Sequence, residues 1–178
     1  MVAPNQSKIK KFLKSDKVTY KGLEKENLRS DKEGKISNKT FPDEFGVHNY
    51  NRYITLDYSE PHLEIVTPPF SSNLDALNFL HDLHAHVEEN LDGDLLWNYS
   101  MPPKFKSKYI KLPPHRETNK TKLAHLYRLG LRNRYGDKMQ STAGIHFNFS
   151  FSDSVLAELD CTKTNLYLGT CRNFLRLF

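Results

Sequence analysis

Five side chains in this sequence have the types and spacing to do chemistry together. Glu24 and Glu26 lie two residues apart in "GLEKENLRS", so in an extended strand both carboxylates leave the same face. Asp57 and Glu64 sit in "YITLDYSEPHLEIVTP", among Ile, Leu, Tyr and Val that read as sheet. Seven residues apart, they would point opposite ways in one uninterrupted strand. Pro61 between them lacks a ladder donor and marks an edge, bend or bulge, and a one-residue slip or a turn there brings both acids to one face. Glu60 has the parity of Glu64 and His62, and its part is less defined. His146 falls on the polar side of the alternating stretch "MQSTAGIHFNFSF", with Gln140 and Asn148. Four carboxylates and an imidazole gathered on one sheet face repel unless protonated or metal-bound. Oxygen-rich donors with one nitrogen suit hard divalent cations, Mg²⁺ or Mn²⁺, and such ions could hold ATP phosphates during phosphoryl transfer.

Each group also has a plainer reading. Glu24 and Glu26 beside Lys25 suit a solvated strand edge, and His146 suits a hydrogen-bonded sheet histidine. His81, His84 and His86 have mixed helical phase and read as surface groups of one helix. Composition and spacing alone predict an antiparallel α+β domain with a candidate metal face, and they name no substrate.

The elements that must position these groups follow from periodicity. "SKIKKFLKSDK" carries Ile9, Phe12 and Leu13 as the stripe of an amphipathic helix with a solvated lysine face. "YKGLEKENLRSDKEGKIS" reads as a strand, a turn at "DKEG" and a short returning strand, and "NKTFPDEFGVHNYN" as a loop. Leu74, Leu77, Leu80, Leu83, Val87 and Leu91 recur at helical spacing, Ser72 with Asp75 resembles a capping box, and "DGD" ends the helix. "LLWNYSMPPKFKSKYIKLPPHRETNK" reads as a long loop. "TKLAHLYRLGLRNRYG" reads as a second helix stopping at Gly136. Residues 139–151 alternate throughout and predict a 13-residue strand. Two helical segments follow from Ser152, the last ending in the apolar "CRNFLRLF".

The 178 residues suffice for one domain, and no apolar run approaches the ~20 residues of a membrane span. "MVAPNQSKIKKFLKS" lacks a secretory core, and Cys161 and Cys171 make neither a metal spacing nor a disulfide framework, so a cytoplasmic location is the default. The net charge of +5 is concentrated in residues 1–39, with 11 Lys and Arg against 5 Asp and Glu. No nucleic-acid-binding motif accompanies it, and a solvated helix face accounts for the excess; neither nucleic acid nor membrane is expected as a partner.

The order of "GLEKENLRS", "YITLDYSEPHLEIVTP", "GDLLWNYSMP", "LYRLGLRNRYG" and "MQSTAGIHFNFS" resembles bacterial glutamate–cysteine ligase (γ-glutamylcysteine synthetase) from about residue 20 to 151, and more loosely to the end. The resemblance implies a glutamine-synthetase-like α+β fold, a curved antiparallel sheet with helices on one face and the site on the concave side. It implies the first step of glutathione synthesis, in which ATP phosphorylates the γ-carboxylate of L-glutamate and the amine of L-cysteine attacks the γ-glutamyl phosphate. Carried over by position, Glu24, Glu26, Asp57, Glu64 and His146 match metal ligands for Mg²⁺ or Mn²⁺. Tyr58, Tyr127, Leu131 and Gln140 fall where the family lines its cysteine pocket, and Arg128 is matched as a catalytic partner for carboxylate or phosphate.

The chain departs from the family pattern at Lys25, where Arg is usual, and at "PPHRETNKTK", which lacks the family's glycines before the second helix. It is also shorter than the family's members. The expectation is a single domain over residues 1–178, the N-terminal part of a catalytic domain, with low or no activity alone. A missing C-terminal half, or self-association through the apolar terminus, would complete it; the alternative is a non-catalytic remnant that keeps metal or amino-acid affinity or docks onto another protein.

Overall fold

The computed structural model describes residues 19–103, 105, 110–115 and 118–158. The predicted N-terminal amphipathic helix, both cysteines and the apolar C-terminal segment lie outside them. Five strands form one open antiparallel sheet: β1 (Thr19–Ser30), β2 (Ile54–Leu56), β3 (His62–Val66), β4 (Leu95–Trp97) and β5 (Ile145–Phe151). The helices are α1 (Asn73–Glu89), α2 (Asn119–Tyr135), the short α3 (Asp137–Gln140) and α4 (Asp153–Glu158), with a 3₁₀ turn at Asp43–Phe45 inside the predicted loop. No described helix is long and apolar enough to cross a membrane.

β1 is the axis of the sheet. One edge pairs with β3 through Glu24↔Val66 to Leu28↔His62, and β2 lies outside β3. The other edge carries β5 against Thr19–Lys25 and β4 against Leu28–Ser30, end to end. Alternation then sorts the residues. Leu23 of β1, Ile54 and Leu56 of β2, and Leu63 and Ile65 of β3 turn to the back and pack on Leu80, Leu83, Val87 and Leu91 of the α1 segment. Burying each such side chain contributes about 1.5–3 kcal/mol. A smaller cluster of Leu28, Ile36 and Ile110, with Trp97 and Phe105, closes one end.

α1 forms as its periodicity predicts, and the Ser72 side chain accepts a hydrogen bond from the Asp75 amide as N-cap. Its stripe is only partly used, because Leu74 and Leu77 stay exposed. α2 is capped by Thr118 and ends at Gly136, whose φ of 81° favours glycine. Its inward side is polar: Thr121 and Arg128 are buried, whereas Leu123, Leu126 and Tyr127 face out.

The 13-residue strand predicted from alternation is corrected to seven residues. Residues 137–140 form α3 instead, because Asp137 is buried and its carboxylate accepts bonds from Tyr58 Oη and from Arg132 Nε at 2.8 Å. Ser141 Oγ donates to the Asp137 carbonyl at 2.7 Å and closes the turn. Gln140 therefore does not share a strand face with His146. The long loop after α1 is interrupted by β4, three residues too short to show a period.

Candidate metal centre

The front of the sheet, opposite α1, carries the acids. Glu24 and Glu26 share that face of β1, and Glu26 stands directly opposite Glu64 of β3, which in turn faces Thr55 of β2. β2 and β3 form a hairpin, and the Asp57 amide donates to the His62 carbonyl at 3.1 Å just past the ladder. The chain thus turns back between Asp57 and Glu64, and seven-residue spacing becomes one shared face. His146 on β5 is the cross-strand partner of Glu24.

Like charges opposite one another in a sheet are unfavourable. Burial, with repulsion from Asp57, Glu24 and Glu26, pushes the Glu64 carboxyl up to about 7, against a smaller opposing pull from His146. Glu26 is also raised, chiefly by burial and then by Asp57 and Glu24, although the Gly144 amide donates to its Oε2 at 2.8 Å. The His146 imidazole sits over the pair, Nδ1 at 3.1 Å from Glu24 Oε2 and Nε2 at 3.8 Å from Glu26 Oε1. Asn148 Nδ2 donates to the other oxygen of Glu24 at 2.8 Å. Asp57 is half exposed, and its Oδ2 lies 3.5 Å from His62 Nδ1.

Among the described residues no group of three His, Cys, Asp or Glu stands ready-made to hold an ion. The donor set nonetheless suits a divalent cation of the Mg²⁺ type. Such ions are held by one or two carboxylates with waters and substrate oxygens, not by an all-protein cage. The raised Glu64 reflects burial first and then the crowding of Asp57, Glu24 and Glu26 around it. A cleft of about 220 Å³, lined by Gly22, Glu24, Thr67 and Asn148, opens beside this face. A larger hollow of about 590 Å³, between Arg29, Lys39, Phe41 and Asp92, contains none of these acids and is not where the chemistry gathers.

The other sequence-predicted residues stand apart from this cluster in different ways. Arg128 is buried, and its Nε and Nη2 donate to the backbone carbonyls of Asp57 and Leu56 at 2.9 and 2.8 Å. It is a strut under the Asp57 turn. Tyr58, 2% exposed, donates to Asp137, and burial with that carboxylate pushes its hydroxyl up to about 12. It anchors the turn to α3 and does not line an open surface. Tyr127 is 67% exposed one helical turn from half-buried Leu131, and Gln140 is half-buried on α3. Lys25, the departure inside the first acidic motif, lies on the back of β1, with Nζ 2.8 Å from His84 Nε2. His84 is therefore half-buried, unlike exposed His81. Glu60 is buried and accepts from the Phe41 amide at 2.7 Å, a structural acid outside the cluster.

Two participants were not singled out in the sequence. Asp137 follows a helix-ending glycine, a place where polarity is ordinary. His62 shares the parity of Glu64, which was the available signal, and it lies beneath the cluster.

A sequence profile of the glutamate–cysteine ligase family matches residues 5–178. The chain belongs to that family. The match covers the looser resemblance after residue 151 and extends it toward the N-terminus, to residue 5. Among glutamate–cysteine ligases, that of Wigglesworthia glossinidia brevipalpis is 44% identical over 143 residues, 80% of this chain and 28% of that protein. The glutathione biosynthesis bifunctional protein of Enterococcus faecalis is 38% identical over 168 residues, 87% of this chain and 22% of that protein. The crystal structure of glutamate–cysteine ligase from Francisella tularensis in complex with AMP superposes with a TM-score of 0.82 at 30% identity, covering 88% of this chain and 32% of that one. This member of the family thus spans about a third or less of the length of these relatives. The α+β class and the open antiparallel sheet agree with the Francisella ligase fold.

Proposed function

We propose that this chain, as one domain over residues 1–178, supplies the acidic part of a glutamate–cysteine ligase site, serving the ATP-dependent joining of the L-glutamate γ-carboxyl to L-cysteine. The observation that carries the reading is the gathering of Glu24, Glu26, Asp57, Glu64 and His146 on one sheet face with a carboxyl held at about 7. Those residues would hold Mg²⁺ or Mn²⁺, which would supply positive charge to screen the repulsion between ATP and glutamate. The AMP held by the Francisella relative supports ATP as the co-substrate.

In the reaction proposed, the glutamate γ-carboxylate attacks the terminal phosphorus of ATP, ADP leaves, and the cysteine amine displaces phosphate from the acyl phosphate with loss of a proton. Carboxylate alone is a poor acyl donor because oxide is a poor leaving group. In this chain, Arg128 and Tyr58 hold the Asp57 turn in place, and Tyr127, Leu131 and Gln140 border the acceptor side. The relatives' greater length supports a site completed by residues beyond those of this chain, so the 178-residue chain alone is predicted to bind divalent cation and turn over weakly or not at all. Calorimetry with Mg²⁺ and phosphate-release assays with and without each amino acid test this. Robust release that needs both glutamate and cysteine would overturn the low-activity prediction, and absence of any divalent-cation binding would remove the metal centre.

A further inference from the structure

His62 is the buried group that the proposed reaction does not use. Its side chain is 0% exposed, and no well-aligned hydrogen bond ends on either ring nitrogen, although the Gln140 backbone also approaches the ring. A buried polar nitrogen left unpaired costs about 1–3 kcal/mol, so its placement needs a reason. The reason lies in what the ring faces. Nδ1 is 3.5 Å from Asp57 Oδ2, and Nε2 is 3.9 Å from Glu26 Oε2, so one imidazole spans acids from the turn after β2 and from β1. Its strand neighbour across the sheet is Leu28, in the apolar cluster that closes this end. The ring is sealed from solvent, and its nitrogens have the two carboxylates and the Gln140 backbone before them.

Resting on the metal-centre reading above, we propose that His62 is a positioning residue. Its single ring N–H orients one of the Asp57 and Glu26 carboxylates from beneath while the ring spaces the other, so that their outward oxygens face a divalent cation. The two gaps are each longer than a hydrogen bond, and closing either needs only a side-chain adjustment of Asp57 or Glu26 as the ion engages them. Groups that orient metal-binding side chains in this way typically matter by about 10–100-fold in metal affinity.

The test is Mn²⁺ binding to the 178-residue chain, followed by electron paramagnetic resonance. His62→Leu, of similar volume and bordered by Leu28, is expected to weaken Mn²⁺ about 10–100-fold. His62→Asn, whose amide nitrogen stands near the place of Nδ1, is expected to recover most of the loss. Nitrogen couplings in the pulsed spectrum should come from His146 alone and vanish in His146→Ala. Unchanged affinity in His62→Leu, or no recovery in His62→Asn, would overturn the proposal. So would nitrogen coupling that survives His146→Ala, because His62 would then be a ligand itself. Should the leucine variant not fold, ¹⁵N spectra of histidine-labelled unaltered chain decide: the His62 ring signals must shift on Mg²⁺ addition, and their constancy refutes the role. Failure of the unaltered chain to bind Mn²⁺ removes the metal centre itself, a different result from binding that is indifferent to residue 62.

Discussion

β1 has two flanks whose sequences alternate alike and whose surroundings differ. Toward β3 and β2, the back-facing Leu63, Ile65, Ile54 and Leu56 are sealed under α1. Toward β5, the back-facing Ile145, Phe147 and Phe149 are 65%, 62% and 52% exposed. The front is acidic or polar on both sides, with Glu64 on one and His146 and Asn148 on the other. Period-two alternation tells which residues share a face. It does not tell whether anything covers that face, because cover comes from elements distant in sequence.

The contrast can be broken most sharply in the core. Leu63→Ala should destabilise the chain by about 2–5 kcal/mol in denaturant titrations, as a large-to-small change in a closed core does. A cost below ~1 kcal/mol would show that α1 does not seal this side. Next in size is Arg128→Ala, which strips two hydrogen bonds from the Leu56 and Asp57 carbonyls; a loss of about 1–3 kcal/mol is expected. Arg128→Lys should recover little, since one ammonium cannot reproduce the fork.

The acidic front sharpens the comparison through pH. Glu64 binds its proton more tightly folded, at about 7, than its ordinary 4.5. Between these values the folded chain holds more protons than the unfolded one, so this group's contribution falls as pH rises and then levels off. Melting temperature in metal-free buffer should decline across that window. Glu64→Gln should flatten the decline and raise stability above pH 7, and added Mg²⁺ should do the same for the unaltered chain. A curve with no Glu64-dependent slope would refute the crowding of charge. The smallest effect belongs to the uncovered flank: Phe147→Ala should change stability by no more than about 0.5 kcal/mol. A cost of several times that would mean that residues outside those described cover β5.

Much of this frame was legible in the chain itself. α1, the β1 strand with its "DKEG" turn, and the C-terminal end of α2 follow from apolar spacing, an N-cap and a C-terminal glycine, all local effects; α2 starts two residues earlier than read, at Asn119 behind the Thr118 cap. The shared face of Asp57 and Glu64 was legible only as a choice between a slip and a turn at Pro61; hairpin pairing makes it the turn. The 13-residue strand failed because alternation continued through residues whose backbone is bent by the Tyr58–Asp137–Arg132 contacts. Tyr58 and Arg128, read as groups that meet substrate or phosphate, make contacts that hold the turn carrying Asp57.

By itself the sequence determined which acids share β1, where α1 begins and α2 ends, and through its motif order which family the chain resembles. These depend on backbone periodicity and capping, which act over a few residues. Only the tertiary structure decided that Glu26 stands across from Glu64, that Lys25 turns away from the acids to His84, and that His62 lies buried between Asp57 and Glu26. Strand register and long-range packing make those choices, and they bring together residues whose spacing along the chain carries no mark of the meeting.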